Sequence, residues 1–156
     1  MRSETGSWLL YGLLLLVALL GGMALFAWSN PSYEKAFEAK WYYFTGDYES
    51  AYRLAAEAYE MDPYNRVALT VMRQTEVARK YVAYIEEGEA FLRRIEELVE
   101  KGPLESADRT RIRMMCEIML DRYETLSATP LTDENLVKRA AKVRSEFETL
   151  YRSTGP

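Results

Sequence analysis

The polarity of the chain changes abruptly near residue 30. No charged residue occurs between Glu4 and Glu34, whereas charged residues recur every few positions beyond that point. As a helix at ~1.5 Å per residue, the apolar run from Trp8 to Trp28 would reach ~30 Å, the thickness of the hydrocarbon core of a bilayer. The pattern therefore predicts a transmembrane helix over residues 8–28, followed by a separate helical domain.

Two other interpretations of this run fit less well. Trp8 and Trp28 bracket it, as aromatic rings bracket a true span at the two membrane interfaces. A cleaved signal peptide would need a basic amino-terminal region and a small residue three positions before the cleavage site, yet only Arg2 is basic and Leu25 occupies that position. A buried core helix of this length would carry a polar stripe. We therefore expect residues 8–28 to remain attached as an anchor.

The flanks of the run bear on its orientation. The amino-terminal flank carries Arg2, and the other flank carries Lys35 and Lys40 beside two glutamates. The positive-inside rule, which counts Lys and Arg in short flanks, barely separates the two sides. Because a short, nearly neutral tail is easily left inside, we expect the carboxyl-terminal domain to be periplasmic, on a bacterial inner membrane. The cytoplasmic side is the alternative.

Beyond residue 30, apolar residues recur every three or four positions, which predicts helices. Residues 66–99 are interpreted as one long helix or two nearly collinear ones, with Gly88 as the expected break or bend and Gly102-Pro103 as the stop. Further helices are predicted from Ser106 to about Leu126 and from Thr132 to about Tyr151. The expected core face of the first is Ile112, Met115, Met119, Tyr123 and Leu126, and that of the second is Leu136, Ala140, Val143, Phe147 and Leu150.

No segment alternates with a period of two, so no sheet is expected. The sequence thus predicts an all-α protein in three parts. Residues 1–30 form the tail and the transmembrane helix, residues 31–152 form the helical domain, and residues 153–156 form a disordered tail.

The segment of residues 32–65 carries the spacing of a helical repeat. Small residues recur where two antiparallel helices would press together, a Gly-Asp-Tyr turn lies between them, and a proline follows: Ala39, Tyr42, Gly46, Ala51, Ala58 and Pro63. Counted from Ser32, these positions resemble a tetratricopeptide repeat of 34 residues. The resemblance implies a helical hairpin that two to four further antiparallel helices would continue.

The same resemblance implies where a partner would bind. In this family the first helix of each repeat lines the concave face, and the lining positions correspond here to Tyr33, Ala36, Lys40, Tyr43 and Phe44. Tyr33, Lys40, Tyr43 and Phe44 are the predicted partner-binding residues, because aromatic rings give large contact area at low entropic cost. Packing inside the domain and anchoring at lipid headgroups are the alternatives.

The composition argues against catalysis. The chain has no His and one Cys, so histidine acid–base chemistry and a zinc site of the usual Cys/His kind are excluded within one chain. Cys116 lies beside the apolar face of a predicted helix and is interpreted as a core or half-buried thiol. Glu86, Glu87 and Glu89 are interpreted as a solvated helix face. No enzyme activity, cofactor or metal is predicted.

Charge bears on the class of partner. The net charge is −4 and no basic run occurs, which disfavours a nucleic-acid partner. The sequence predicts a membrane-anchored adaptor or assembly factor that binds another protein, itself membrane-associated, in a bacterial envelope complex. The alternatives are a structural subunit of a larger assembly and, least favoured, a small membrane-bound enzyme. Ala18 and Gly22 form a small-x-x-x-small pair, so a homo-oligomer is a further alternative.

Overall fold

The computed structural model describes the backbone of residues 4–154 and the side chains of residues 8–23, 25 and 29–154. Within this range the chain is all α-helical, with no strand, as the periodicity predicted. The six helices are α1 (Glu4–Ser29), α2 (Pro31–Thr45), α3 (Tyr48–Met61), α4 (Arg66–Glu100), α5 (Ser106–Glu124) and α6 (Glu134–Ser153). Of the tail predicted over residues 153–156, the last two residues lie outside the described range.

The chain divides into two compact units, residues 1–72 and residues 73–156. The first unit holds α1, α2, α3 and the first turns of α4, and the second holds the rest of α4 with α5 and α6. α4 is a single helix of 35 residues, which confirms the first of the two predicted alternatives, one long helix, and shows that Gly88 does not break it.

Helix α1 presents its apolar side chains to the outside. Every described side chain from Trp8 to Met23 is exposed. Within the part of the chain that is described to its side chains, no helix is long and apolar enough to cross a membrane. The span predicted over residues 8–28 is thus not confirmed, and the side chain of Trp28, expected at the second interface, lies outside the described ones.

Helices α2 and α3 form an antiparallel hairpin around a tight turn. Gly46 adopts a φ of 85°, the left-handed conformation that glycine tolerates best, and Asp47 then caps α3 by accepting a hydrogen bond from the Ser50 amide at 3.0 Å. Ala39, Ala51 and Ala58 are 0% exposed. The predicted burial of Ala51 and Ala58 is confirmed, because side chains this small let the two helix backbones approach closely.

A buried polar junction ties the hairpin to the start of α4. Asn30 caps α2, and Ser32 is buried in the first turn of the helix. The Ser32 hydroxyl donates to the Ala58 carbonyl at 2.8 Å and accepts from the Asn65 side-chain amide at 2.8 Å. The Asn65 side-chain oxygen Oδ1 accepts from the backbone amides of Val67 and Ala68, in the first turn of α4, at 3.0 and 3.1 Å. Within this junction, each buried side-chain polar group therefore has a partner, as burial requires.

In the second unit, α4, α5 and α6 share an apolar core. The buried residues of α5 and α6 are Ile112, Cys116, Met119, Leu136, Ala140, Val143 and Phe147. All but Cys116 belong to the predicted faces, whereas Met115, Tyr123, Leu126 and Leu150 are only half-buried. Gly88 faces this core, and a Cβ atom built there would lie 2.5 Å from Val143 Cγ1. The glycine therefore permits close helix packing.

Candidate partner-binding surface

Helix α2 has two faces of opposite character. Ser32, Ala36, Ala39 and Tyr43 are buried on the face that contacts α3. Phe37, Trp41 and Phe44 lie on the other side at four- and three-residue spacing, and they are 52%, 68% and 72% exposed. We call these three residues the aromatic row. Because large apolar patches are uncommon on the surface of a soluble monomer, a continuous aromatic row marks a surface suited to contact with another molecule.

The structure separates the four predicted binding residues. Tyr43 is 8% exposed, and its ring meets the ring of Tyr48 edge-to-face at a centroid distance of 5.5 Å. It is therefore part of the hairpin interior, the packing alternative, and offers little area to a partner. Lys40 and Phe44 are exposed, and Tyr33 is half-buried.

Two interactions support Phe44 at the surface. The Tyr43 ring contacts the Phe44 ring edge-to-face, with the two ring centroids 6.1 Å apart. The Lys40 ammonium nitrogen lies 5.8 Å from the Phe44 ring centroid, within the range of a cation–π interaction. Phe44 is consequently held in place by its neighbours, which lowers the conformational entropy that it would lose on binding.

The repeat comparison missed Phe37 and Trp41, because neither lies at a position that lines the concave face in the family. The signal was nevertheless present in the sequence. Aromatic residues at 37, 41 and 44 share one face of a helix, and that face is opposite the alanines at 36 and 39. Helical periodicity alone would therefore have found them.

An ion-pair network fixes α2 against α3. The Lys35 ammonium lies 2.6 Å from one Glu57 carboxylate oxygen, and Arg53 lies 3.0 Å from the other. These hydrogen bonds, that from Lys35 above all, hold the pKa of Glu57 below its usual value. The aromatic row thus lies on a helix that is held in its hairpin by ionic as well as apolar contacts.

Cys116 has the environment of a structural thiol. It is 0% exposed in the second unit, and burial raises the pKa of its thiol to about 11. The thiolate is the nucleophilic and metal-binding form, so almost none of the reactive species exists at neutral pH. The position fits the predicted core thiol.

The glutamates of α4 are partly engaged in ion pairs. Glu87 is paired with Arg122 of α5, and Glu89 lies 3.2 Å from Arg139 of α6. Glu86 is exposed. Two of the three acidic residues therefore connect α4 to α5 and α6 through ion pairs. They are not simply part of a solvated helix face, as the sequence suggested. Among the described residues, no group of three or more His, Cys, Asp or Glu side chains is placed to hold a metal ion.

Comparison with other proteins adds no assignment to this geometry. No protein-family model matches the chain, and neither a curated protein nor a solved structure matches it.

Proposed function

We propose that this protein is a membrane-anchored helical adaptor that binds another protein through the aromatic row of α2. The observation that carries the proposal is the exposure of Phe37, Trp41 and Phe44 on one face of the first helix after the apolar segment. The proposed partner is membrane-associated, because this helix begins two residues after the end of α1.

The anchoring part of the proposal rests on α1. Its described side chains from Trp8 to Met23 are apolar and exposed, and no described residue covers them. Leaving so many leucines in water would forfeit roughly 1.5–3 kcal/mol for each side chain compared with burial. Insertion into a bilayer removes this cost, and the charge-free run from Trp8 to Trp28 has the length of a span.

The adaptor part rests on the shape of the first unit. We propose that α2 and α3 are a hairpin of the tetratricopeptide type, in which small residues at Ala39, Ala51 and Ala58 set the helix contact. Hairpins of that kind bind proteins by their surfaces and carry out no chemistry. Two further observations favour binding over catalysis. The pKa of the Cys116 thiol is raised, and the sequence contains no histidine.

The double substitution Trp41→Ala, Phe44→Ala tests the binding surface. Removing one well-packed aromatic contact typically costs ~2 kcal/mol of binding, so we expect at least a roughly thirtyfold loss of affinity for the partner. The measurement compares proteins that copurify with the tagged full chain from membranes in mild detergent, quantified by mass spectrometry. Because both rings are exposed, helical content and melting temperature should be unchanged.

Tyr64→Ala is the matched control, since Tyr64 is an aromatic residue of the same unit that is 89% exposed and lies outside the row. A partner that is retained by wild type and Tyr64→Ala but lost from the double variant supports the proposal. Equal recovery with all three chains would place the interface elsewhere, and unfolding of the double variant would mean that the rings serve the core.

Membrane attachment is tested separately. We expect the full chain to stay in the membrane pellet after extraction with alkaline carbonate, and its amino terminus to precede Trp8, because the apolar segment acts as a retained anchor. A chain that lacks residues 1–30 should appear in the supernatant. Release of the full chain by carbonate, or a mature terminus near Trp28, would contradict the anchor.

The same cells report the side of the membrane. Alkaline phosphatase fused after Pro156 should be active, since we propose that the helical units are exported and the amino-terminal tail stays inside. An inactive phosphatase fusion, together with a fluorescent cytoplasmic reporter at the same position, would reverse the orientation.

A further inference from the structure

A second surface lies in the other unit, between the last three turns of α4 and the middle of α5. It is an open groove of about 840 Å³, and all of its lining residues belong to residues 90–118. Five of the lining residues have large apolar side chains, and we call them the floor: Phe91, Leu98, Met114, Met115 and Ile118. Met114 is 56% and Ile118 is 40% exposed, so the floor remains accessible. We call this surface the α4–α5 groove.

The rim of the α4–α5 groove is basic in an acidic protein. Arg93, Arg94, Lys101 and Arg111 line it, with Glu97 as the single acidic lining residue. The chain as a whole has a net charge of −4, so this excess of positive charge is local. A partner that bound here would need acidic groups on either side of an apolar stripe.

Most of these cations have no partner inside the protein. Arg111 lies 3.7 Å from Asp108, whereas Arg93, Arg94 and Lys101 form no ion pair with any described residue. Elsewhere on α4 the charges are used internally, as the ion pairs of Glu87 and Glu89 with α5 and α6 show. The rim cations are therefore available to an external anion, and their attraction would weaken as salt is added.

The dimensions of the groove suit a helix. Its α4 side runs from Ala90 to Lys101, which corresponds to roughly 16 Å, or three helical turns, at ~1.5 Å per residue. Apolar side chains from two antiparallel helices line it, which is how grooves that accept an amphipathic helix are built. Methionine at two floor positions adapts its shape easily to the side chains of such a ligand.

We propose that the α4–α5 groove binds an acidic amphipathic helix of another protein. The leucine-like stripe of that helix would fill the floor over Phe91, Leu98 and Ile118. Glutamates or aspartates flanking the stripe would pair with Arg93, Arg94 and Lys101. An anionic bilayer fits less well, because the groove extends over only three turns of α4. This site is independent of the aromatic row, and it would give the adaptor a second attachment point.

The test uses the full chain in detergent and a designed peptide as the probe. The peptide is a fluorescein-labelled helix of about four turns, with leucine at every third and fourth position and glutamate on the flanks. Its twin carries lysine in place of each glutamate. Fluorescence anisotropy should show saturable binding of the acidic peptide that weakens with added salt, and at least tenfold weaker binding of the basic twin.

Two charge-reversed variants locate the site. Arg94→Glu, Lys101→Glu should weaken binding of the acidic peptide by at least about tenfold. Arg73→Glu, Lys80→Glu makes the same charge change on exposed positions of the same helix outside the groove, and it should stay within twofold of wild type. Ile118→Ser should also weaken binding, and that loss should persist in high salt because it removes apolar contact.

Several results would overturn the proposal. They are absence of binding at millimolar peptide, equal losses in the two charge-reversed variants, and equal affinity for the acidic and basic peptides. A fourth is self-association of the chain that Arg94→Glu, Lys101→Glu abolishes, since the occupant would then be a second copy. The last result concerns lipid. If the wild-type chain bound anionic vesicles better than the groove variant did, and neither bound the peptide, the groove would be a lipid-binding site.

Discussion

Replacing Phe147 by Ala should lower the free energy of unfolding of the second unit by about 3–5 kcal/mol, the usual effect of truncating a buried phenylalanine. Phe147 is 0% exposed and is the largest of the fully buried side chains. It lies on α6 beside Val143, where α6 approaches α4 around Gly88. Truncation would remove apolar contacts and leave a cavity at the point where the helices come closest.

Urea denaturation of the full chain in detergent, followed by circular dichroism and by hydrogen exchange of the α6 amides, measures this effect. Phe44→Ala is a matched control, because it makes the same chemical change at a side chain that is 72% exposed, and it should shift stability by less than ~0.5 kcal/mol. Similar losses for the two variants would mean that Phe147 does not anchor the core.

Much of the fold could be predicted because local signals repeat along the chain. Period-3.6 apolar positions indicated helices, and Leu136, Ala140, Val143 and Phe147 are all buried on α6 as predicted. Turn chemistry was equally informative. Gly46 lies between two helical patterns in the sequence, which predicts a turn there. In the structure it adopts the left-handed conformation between α2 and α3.

The candidate site was predicted only in part, because burial depends on the neighbouring helix. Tyr43 and Phe44 are adjacent in the sequence and chemically alike, yet one is 8% and the other 72% exposed. Which of them faces inward is set by where α3 lies, and Tyr48 of α3 covers Tyr43. The basic rim of the α4–α5 groove was missed for a similar reason: Arg94 and Arg111 are far apart in the sequence, and only the fold brings them to one groove.

The role of Gly88 could not be predicted from the sequence either. In a sequence, a glycine within a helical pattern indicates either a bend or a close contact, and the two cannot be separated without the facing side chains. Here the facing groups are Val143, Met119 and Phe147, whose nearest atoms would lie 2.5, 3.1 and 3.4 Å from an added Cβ. The second unit therefore depends on having no side chain at this position.

Gly88→Leu should accordingly destabilise the second unit by about 3 kcal/mol or more, near the upper end of the usual cost of overpacking a core. Helix propensity alone predicts the reverse sign, because glycine costs ~1 kcal/mol relative to better helix formers. The clash dominates because Val143 is β-branched and held to one rotamer in a helix, so its methyl group cannot turn away. Urea denaturation of the full chain, as for Phe147→Ala, gives the sign directly.

A double-mutant cycle separates packing from propensity. Gly88→Ala should destabilise wild type by about 1 kcal/mol, because the overpacking of ~1–3 kcal/mol exceeds the gain in propensity. In a Val143→Ala background the atom at 2.5 Å is gone, and the same Gly88→Ala change should stabilise the protein by up to ~1 kcal/mol. This reversal of sign is specific to a close contact. If Gly88→Ala instead stabilised both backgrounds equally, the glycine would have no packing role, and its place in the middle of α4 would be without a structural reason.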